Sequence, residues 1–208
     1  MPRAGLVPAV VTEAGAALAD EVGFTRLSMG LVAERLGVKT PSLYKHVDGQ
    51  ADLAHRIAVL ASDELGDAMG DAIQGRAGSE ALAAAAQAMR TYVKEHPGRY
   101  AAINSARPGG PDDPFVAASR RALSALTAVL RGYGLPPEEE IHALRMLRSV
   151  LHGFVTLEVA TGFRYDTDVD DSFAWLIDFI DHGLHATASA TAADAPPPAA
   201  PHGAGPTP

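Results

Sequence analysis

The chain has 208 residues, with 17 basic and 25 acidic side chains, a formal net charge of -8 at pH 7, and no cysteine. Such a length suits one compact chain in two parts with a sizeable core, and the lack of cysteine excludes a disulfide framework and thiolate chemistry. No apolar run approaches the roughly 20 residues that a bilayer-spanning helix needs, and the N-terminus has no secretory pattern. The expectation is a soluble, cytoplasmic protein with no membrane partner, and abundant alanine and leucine with little β-branched alternation predict an all-α fold.

After a frayed start, Pro8 can open a helix running to about Val22, with Val11, Ala14, Ala17 and Leu18 inward and Gly23 at its end. Phe24 and Leu27 are placed to plug the space between this helix and the next two. Ser28 then N-caps a short helix with Leu31, Val32 and Leu36 on one side, and Gly37 stops it by accepting the left-handed conformation of a sharp turn. Val38 points inward, Thr40 can cap a second short helix with Pro41 at its first position, and Leu43 and Val47 form a narrow apolar stripe. Lys39, Thr40, Ser42, Tyr44, Lys45 and His46 are left for solvent. A short helix with one buried stripe and an exposed face of hydroxyls, amines and a phenol suits the major groove of double-stranded DNA. Three helices around one small core make residues 1–50 a helix-turn-helix head.

The acidic balance lies elsewhere. Residues 1–50 hold five basic and five acidic side chains, and from Thr25 to Val47 the balance is Arg26, Arg35, Lys39 and Lys45 against Glu34 alone. A locally basic face on an acidic chain fits short, specific DNA contact better than a sequence-blind coat.

Leu36-Gly37-Val38, then Pro41-Ser42-Leu43-Tyr44 and His46, after a helix opened by Ser28, resemble the DNA-binding domain of the TetR family of bacterial transcriptional regulators. Val22-Gly23-Phe24 and Ala51-Asp52-Leu53 stand where that family has comparable residues, while Gln50 lies near the place where it often has a phosphate-gripping lysine. The resemblance implies a homodimer on a palindromic operator and a helical body that takes a small-molecule effector. Together with the exposed face it assigns DNA contact to Thr25, Ser28, Lys39, Thr40, Pro41, Ser42, Tyr44, Lys45 and His46.

Residues 52–69 carry Leu53, Ile57, Leu60, Ala61 and Leu65 at helical spacing. In the resembled family this helix links head to body, so a ligand-driven tilt of it would change the separation of two recognition helices. Residues 70–78 break the pattern. An alanine-rich helix then runs from Ser79 through Leu82, Met89 and Val93 to His96, where Pro97-Gly98 stops it, and a short helix follows around Arg99 to Ile103. Residues 105–114, with three prolines and two glycines, read as a loop at the rim of a pocket. Phe115 to about Tyr133 resumes with Leu123, Leu126, Val129 and Leu130 on one face, and Gly134 ends it.

Pro136 and Glu138 to Glu140 signal another helix start, which continues through Ile141, Leu144, Leu147, Val150, Leu151, Phe154, Val155 and Leu157 towards Gly162. Asp168, Asp170, Asp171 and Ser172 open a last helix with a stripe of Phe173, Leu176, Ile177, Ile180 and Leu184. Their apolar surplus predicts a four-helix contact between two copies, with Leu151, Phe154, Phe173, Ile177 and Ile180 at the interface. Residues 51–186 form the regulatory and dimerisation domain on this reading. Residues 187–208, rich in alanine, proline and glycine, read as a disordered tail.

Leu151-His152-Gly153, with leucine in place of tryptophan, and His96-Pro97-Gly98-Arg99-Tyr100 are similar to a body subgroup of the same family named for a Trp-His-Gly motif. Tyr100, Arg107, Met146, Phe154, Phe163 and Trp175 are candidates for an effector pocket, against plain core packing for any single one. Arg107 and Arg148 are candidates to meet an acidic ligand, against solvent-facing salt bridges. His142, His152 and Glu158 lack the close spacing of a helical metal site, so neither metal nor cofactor is expected. Gly153 in mid-helix costs about 1 kcal/mol against alanine and points to close backbone approach, between copies or within one.

The favoured function is a DNA-binding repressor released from its operator by a small-molecule effector. The alternatives are a helix-turn-helix regulator controlled by a protein partner and a helical enzyme. Against the enzyme stand the lack of cysteine, of a Gly-rich phosphate loop, of a Gly-x-Ser-x-Gly elbow and of a close His/carboxylate cluster.

Overall fold

A computed structural model describes residues 6–194, and every regular element among them is helical. Helix α1 (Pro8–Val22) starts on proline and ends at Gly23, whose φ of +90° lies outside the range that side chains favour. Its buried side carries Val11, Ala16, Leu18 and Ala19, while Ala14 and Ala17 are half-buried. A 3₁₀ turn at Phe24–Arg26 leads to the buried Leu27 and then to α2 (Met29–Arg35), where the Ser28 hydroxyl accepts the Leu31 N–H at 3.3 Å. Gly37, at φ +66°, closes the helix with its N–H on Glu34 O and the Val38 N–H on Ala33 O, both at 3.0 Å.

The second short helix differs from expectation. Thr40–Lys45 is a 3₁₀ segment, and Lys39, not Thr40, is its N-cap. Pro41 has no N–H, so the first bonds close three residues apart, from Ser42 N to Lys39 O and from His46 N to Leu43 O, each at 2.8 Å. Leu43 and Val47 are both buried in the head core, and the Val47 N–H closes a single α-type bond on Leu43 O at 3.1 Å. Val11, Val32, Leu43, Leu53 and Ile57 are the fully enclosed centre of that core.

Helix α3 (Gln50–Ala72) begins two residues before the expected start and passes through both parts of the molecule. Leu53, Ile57 and Ala58 belong to the head core, and Leu65 and Met69 to the body core. The body continues with α4 (Gly78–Glu95), α5 (Pro97–Ser105), α6 (Pro114–Arg131), α7 (Pro137–Val159) and α8 (Val169–Asp194). The loop expected between Ser105 and Pro114 occupies residues 106–113. At its far end α8 runs eight residues past Ala186, so residues 187–194 are helical where a disordered tail was expected. Ala188 packs on the body core, which extends the helix beyond the last large apolar residue, Leu184, and alanine is the best helix former. The rest of the expected tail, 195–208, lies outside the described residues.

Two buried arginines fasten these helices together. Arg99 of α5 places Nη2 2.7 Å from Glu13 and Nε 3.0 Å from Asp20, both on α1, and Nη1 2.6 Å from Glu64 on α3. Asp20 also accepts the Arg99 N–H at 2.8 Å and lies 3.2 Å from His96 Nδ1. Here α1 and α5 touch backbone to backbone: a Cβ on Gly98 would sit 2.0 Å from the Ala19 carbonyl oxygen. Arg90 of α4 binds Glu158 of α7 and Asp170 of α8 and lies 4.7 Å above the Phe173 ring. Burial opposes the charge on Arg99, but Glu64 and Glu13 outweigh it and hold its pKa above the ordinary value.

Candidate nucleic-acid interface and effector cavity

Burial of Leu43 and Val47 turns the opposite side of the 3₁₀ segment outward. Tyr44 is 55% exposed, Lys39, Pro41 and Lys45 are exposed, and Thr40, Ser42 and His46 are half-buried. Thr25 and Ser28 lie exposed at the entry to α2. Of the four basic residues counted here, two are used within the head: Arg26 donates to the Val22 carbonyl, and Arg35 pairs with Glu21. Lys39 and Lys45 make no hydrogen bond or ion pair among the described residues, so their charges remain free. Gln50 donates to the Leu27 carbonyl at 2.9 Å, which ties the start of α3 to the turn before α2. That bond gives the residue a positioning role where a lysine would reach for phosphate.

A cavity of about 350 Å³ opens in the body, with walls from α3 to α7. Leu65, Met69, Met89 and Leu126 form its apolar floor, and Phe115 and Tyr100 close its sides. The wall between α3 and α6 is tight, since a Cβ on Gly66 would lie 3.1 Å from the Ala122 nitrogen. Arg107, from the loop, and Arg148, from α7, line the cavity as exposed side chains. Tyr100 donates or accepts a 2.8 Å hydrogen bond with His152 Nδ1, and burial pushes its hydroxyl up to about 12 against the opposing effects of Asn104 and the Arg148 charge. His152 is thus a packing and positioning residue behind the cavity wall.

The expected effector residues divide. Tyr100 and Arg107 line this cavity. Met146 lies beside Phe179 on another surface, Phe154 packs at a tilt between Phe163 and Phe173 with ring centroids at 4.8 and 5.1 Å, and Trp175 is 66% exposed against Phe179. Ser62 was missed, although a hydroxyl between Ala61 and Leu65 on the apolar side of α3 is a legible anomaly. The residue lines the cavity, and its Oγ is buried with no hydrogen-bond partner among the described residues.

The cavity rim is fastened to the helix that starts in the head. His55 Nε2 of α3 lies 2.9 Å from Asp113 Oδ1, and Asp113 also accepts the N–H groups of Gly109 at 2.7 Å and Phe115 at 2.8 Å. Those two backbone bonds, Gly109 first, hold the Asp113 carboxyl below its ordinary pKa.

The residues expected at a subunit contact take part in the core of the single protomer. Leu151, Phe173, Ile177 and Ile180 are at most 7% exposed and close the core of one protomer, because α7 and α8 turn their most apolar stripes onto α4 and each other. Phe154 is half-buried in the same place. The outward faces carry Trp175 and Phe179 on α8 and Ile141, Met146 and Leu157 on α7. A Cβ on Gly153 would meet nothing within 4 Å, so packing inside the protomer does not call for glycine there.

Family models match both parts: one described as bacterial regulatory proteins, tetR family, over residues 11–57, and one described as tetracyclin repressor-like, C-terminal domain, over residues 82–180. The chain is 36% identical over 167 residues to an uncharacterized HTH-type transcriptional regulator of Mycobacterium tuberculosis, covering 80% of this chain and 76% of that one. It is 32% identical over 178 residues to the uncharacterized HTH-type transcriptional regulator YobS of Bacillus subtilis, covering 85% and 91% respectively. A possible TetR family transcriptional regulator from Streptomyces coelicolor has the same fold, with a TM-score of 0.68 at 22% identity over 86% of this chain and 98% of that one. So does a TetR variant from Acinetobacter baumannii in complex with minocycline, with a TM-score of 0.66 at 23% identity over 87% and 97%. Its helix-turn-helix head, helical body and relatives together establish that this chain belongs to the TetR family of bacterial transcriptional regulators.

Proposed function

We propose that the protein is a homodimeric repressor that grips a palindromic operator through Lys39, Thr40, Ser42, Tyr44, Lys45 and His46, with Thr25, Ser28 and Pro41 at the edge of the contact. The observation that carries this is the face around Tyr44: an exposed phenol flanked by two lysines whose charges no described residue of the head neutralises. Free amines suit phosphates, and hydroxyls and a phenol suit base edges. Paired heads place such segments in successive major grooves, about 34–36 Å apart. The pairing surface is the outward side of α7 and α8, where Trp175, Phe179, Met146 and Leu157 leave apolar area uncovered.

An effector in the body cavity releases the operator by favouring a different spacing of the heads. Support comes from the His55–Asp113 contact, which joins the cavity rim to α3, and from the relative of the same fold solved with minocycline. Selection of binding sites from random duplex DNA at near-physiological salt tests the reading. An enriched palindrome with half-sites about one helical turn apart is expected. A folded, dimeric protein that enriches no sequence, with or without ligand, overturns it.

A further inference from the structure

Four arginines of the body, Arg90, Arg99, Arg107 and Arg148, have unequal surroundings. Arg90 and Arg99 are each matched by carboxylates within 2.6–3.0 Å. Arg148 makes no hydrogen bond or ion pair among the described residues, and Arg107 bonds only the carbonyls of Asn104 and Ala106. Both line the same cavity, and no carboxylate among the described residues lines it with them.

We propose that this cavity takes a monocarboxylate with an apolar body, the carboxylate held by Arg107 and Arg148 at the mouth and the apolar part lying on Leu65, Met69, Met89 and Leu126. The inference rests on the reading that the body cavity is the effector site, and adds the chemical class. A guanidinium presents a planar fork of donors that fits a carboxylate, and the pairing is strong where water is partly excluded. Two such charges beside one cavity repel a cation. The floor offers four aliphatic or thioether side chains and no charge, which suits a medium-length acyl chain or a fused aromatic pair and disfavours a polyanion. Ser62 also lines the cavity, and its hydroxyl is buried without a partner among the described residues, so a small side-chain rotation that turns it to the cavity would let a ligand bond to it. A hydroxyl or carbonyl part-way along the apolar body supplies such a bond.

Isothermal titration of the full-length protein with decanoate and naphthoate, alongside decanol, naphthalenemethanol and decylamine, tests the class. The acids are expected to bind at least about tenfold more tightly than the matching alcohols, and decylamine not at all. Arg148→Ala and the milder Arg148→Gln, both on an exposed side chain, are each expected to weaken the acids by about tenfold while leaving the alcohols unchanged. Alcohols that match the acids, acid binding unaffected by either substitution, or no binding of either acid would each overturn the proposal. Operator displacement in the same titrations separates the two readings. An acid that binds through Arg148 without displacing DNA leaves the ligand class standing and contradicts effector release. An alcohol that displaces DNA as well as the acid contradicts the class and leaves effector release standing.

Discussion

Arg99 and Arg148 lie on different walls of the same helical body, yet they meet their charge requirement in opposite ways. Arg99 is 9% exposed and is held by Glu13, Asp20 and Glu64, three carboxylates from two other helices. Its side chain is therefore part of the joint between head and body. Arg148 is exposed at the mouth of an apolar cavity and has no acid partner among the described residues. A charge satisfied within the fold stabilises the fold, and one left unmatched beside a cavity is available to a ligand.

The contrast can be broken in order of size. At the joint itself, Gly98→Ala should cost roughly 3 kcal/mol or more, since its methyl group would press on the backbone of Ala19 and backbone cannot step aside. A melting temperature equal to that of the parent would mean that α1 and α5 are not in contact. Arg99→Met should cost about 3 kcal/mol, because Asp20 and Glu64 lose their only guanidinium partner in a partly enclosed place and keep only neutral donors and His96. Denaturant unfolding measures this, and a loss under about 0.5 kcal/mol would place Arg99 with the unmatched arginines.

Acid provides a third test, on the Arg90 group. The hydrogen bond from Arg90 holds the Glu158 carboxyl below its ordinary pKa, with burial opposing and Lys94 adding to the effect. Folded protein therefore releases this proton more readily than unfolded protein. The stabilisation is complete near neutral pH and is lost progressively as pH falls below about 5. Glu158→Gln should flatten the acid limb of a stability profile, and identical limbs would contradict the pairing. The smallest effect is expected at Arg148→Ala, whose stability should stay within about 0.5 kcal/mol of the parent. A larger loss would show that Arg148 has a structural partner after all.

Head and body were unequally legible in sequence. Ser28, Gly37 and the Leu43–Val47 pair act through local rules of capping, left-handed backbone and helical spacing, and those rules marked the helix-turn-helix correctly. The 3₁₀ form of Thr40–Lys45 was not legible, because the apolar spacing of Leu43 and Val47 fits an α-helix equally well. Charge count alone overstated the basic face, since Glu21 is fourteen residues before Arg35 in the chain and meets it only after folding. Which apolar stripe the protomer keeps for its own core was not legible either. The strongest apolar stripe of α8, from Phe173 to Leu184, is the one its own protomer buries, and Trp175 and Phe179 point the other way. Arg107 and Arg148 stood out in the sequence, but their lack of an acid partner depends on contacts among α3, α5, α6 and α7 that spacing along one helix does not reveal.

The account depends most on the face around Tyr44. The affinity of Tyr44→Ala for the selected operator, measured beside its melting temperature, tests that face directly. The phenol is exposed and Leu43 beneath it is fully buried, so the variant should melt with the parent while binding the operator at least about tenfold more weakly. Unchanged affinity in a normally folded variant would contradict the assignment of this segment as the DNA-reading element.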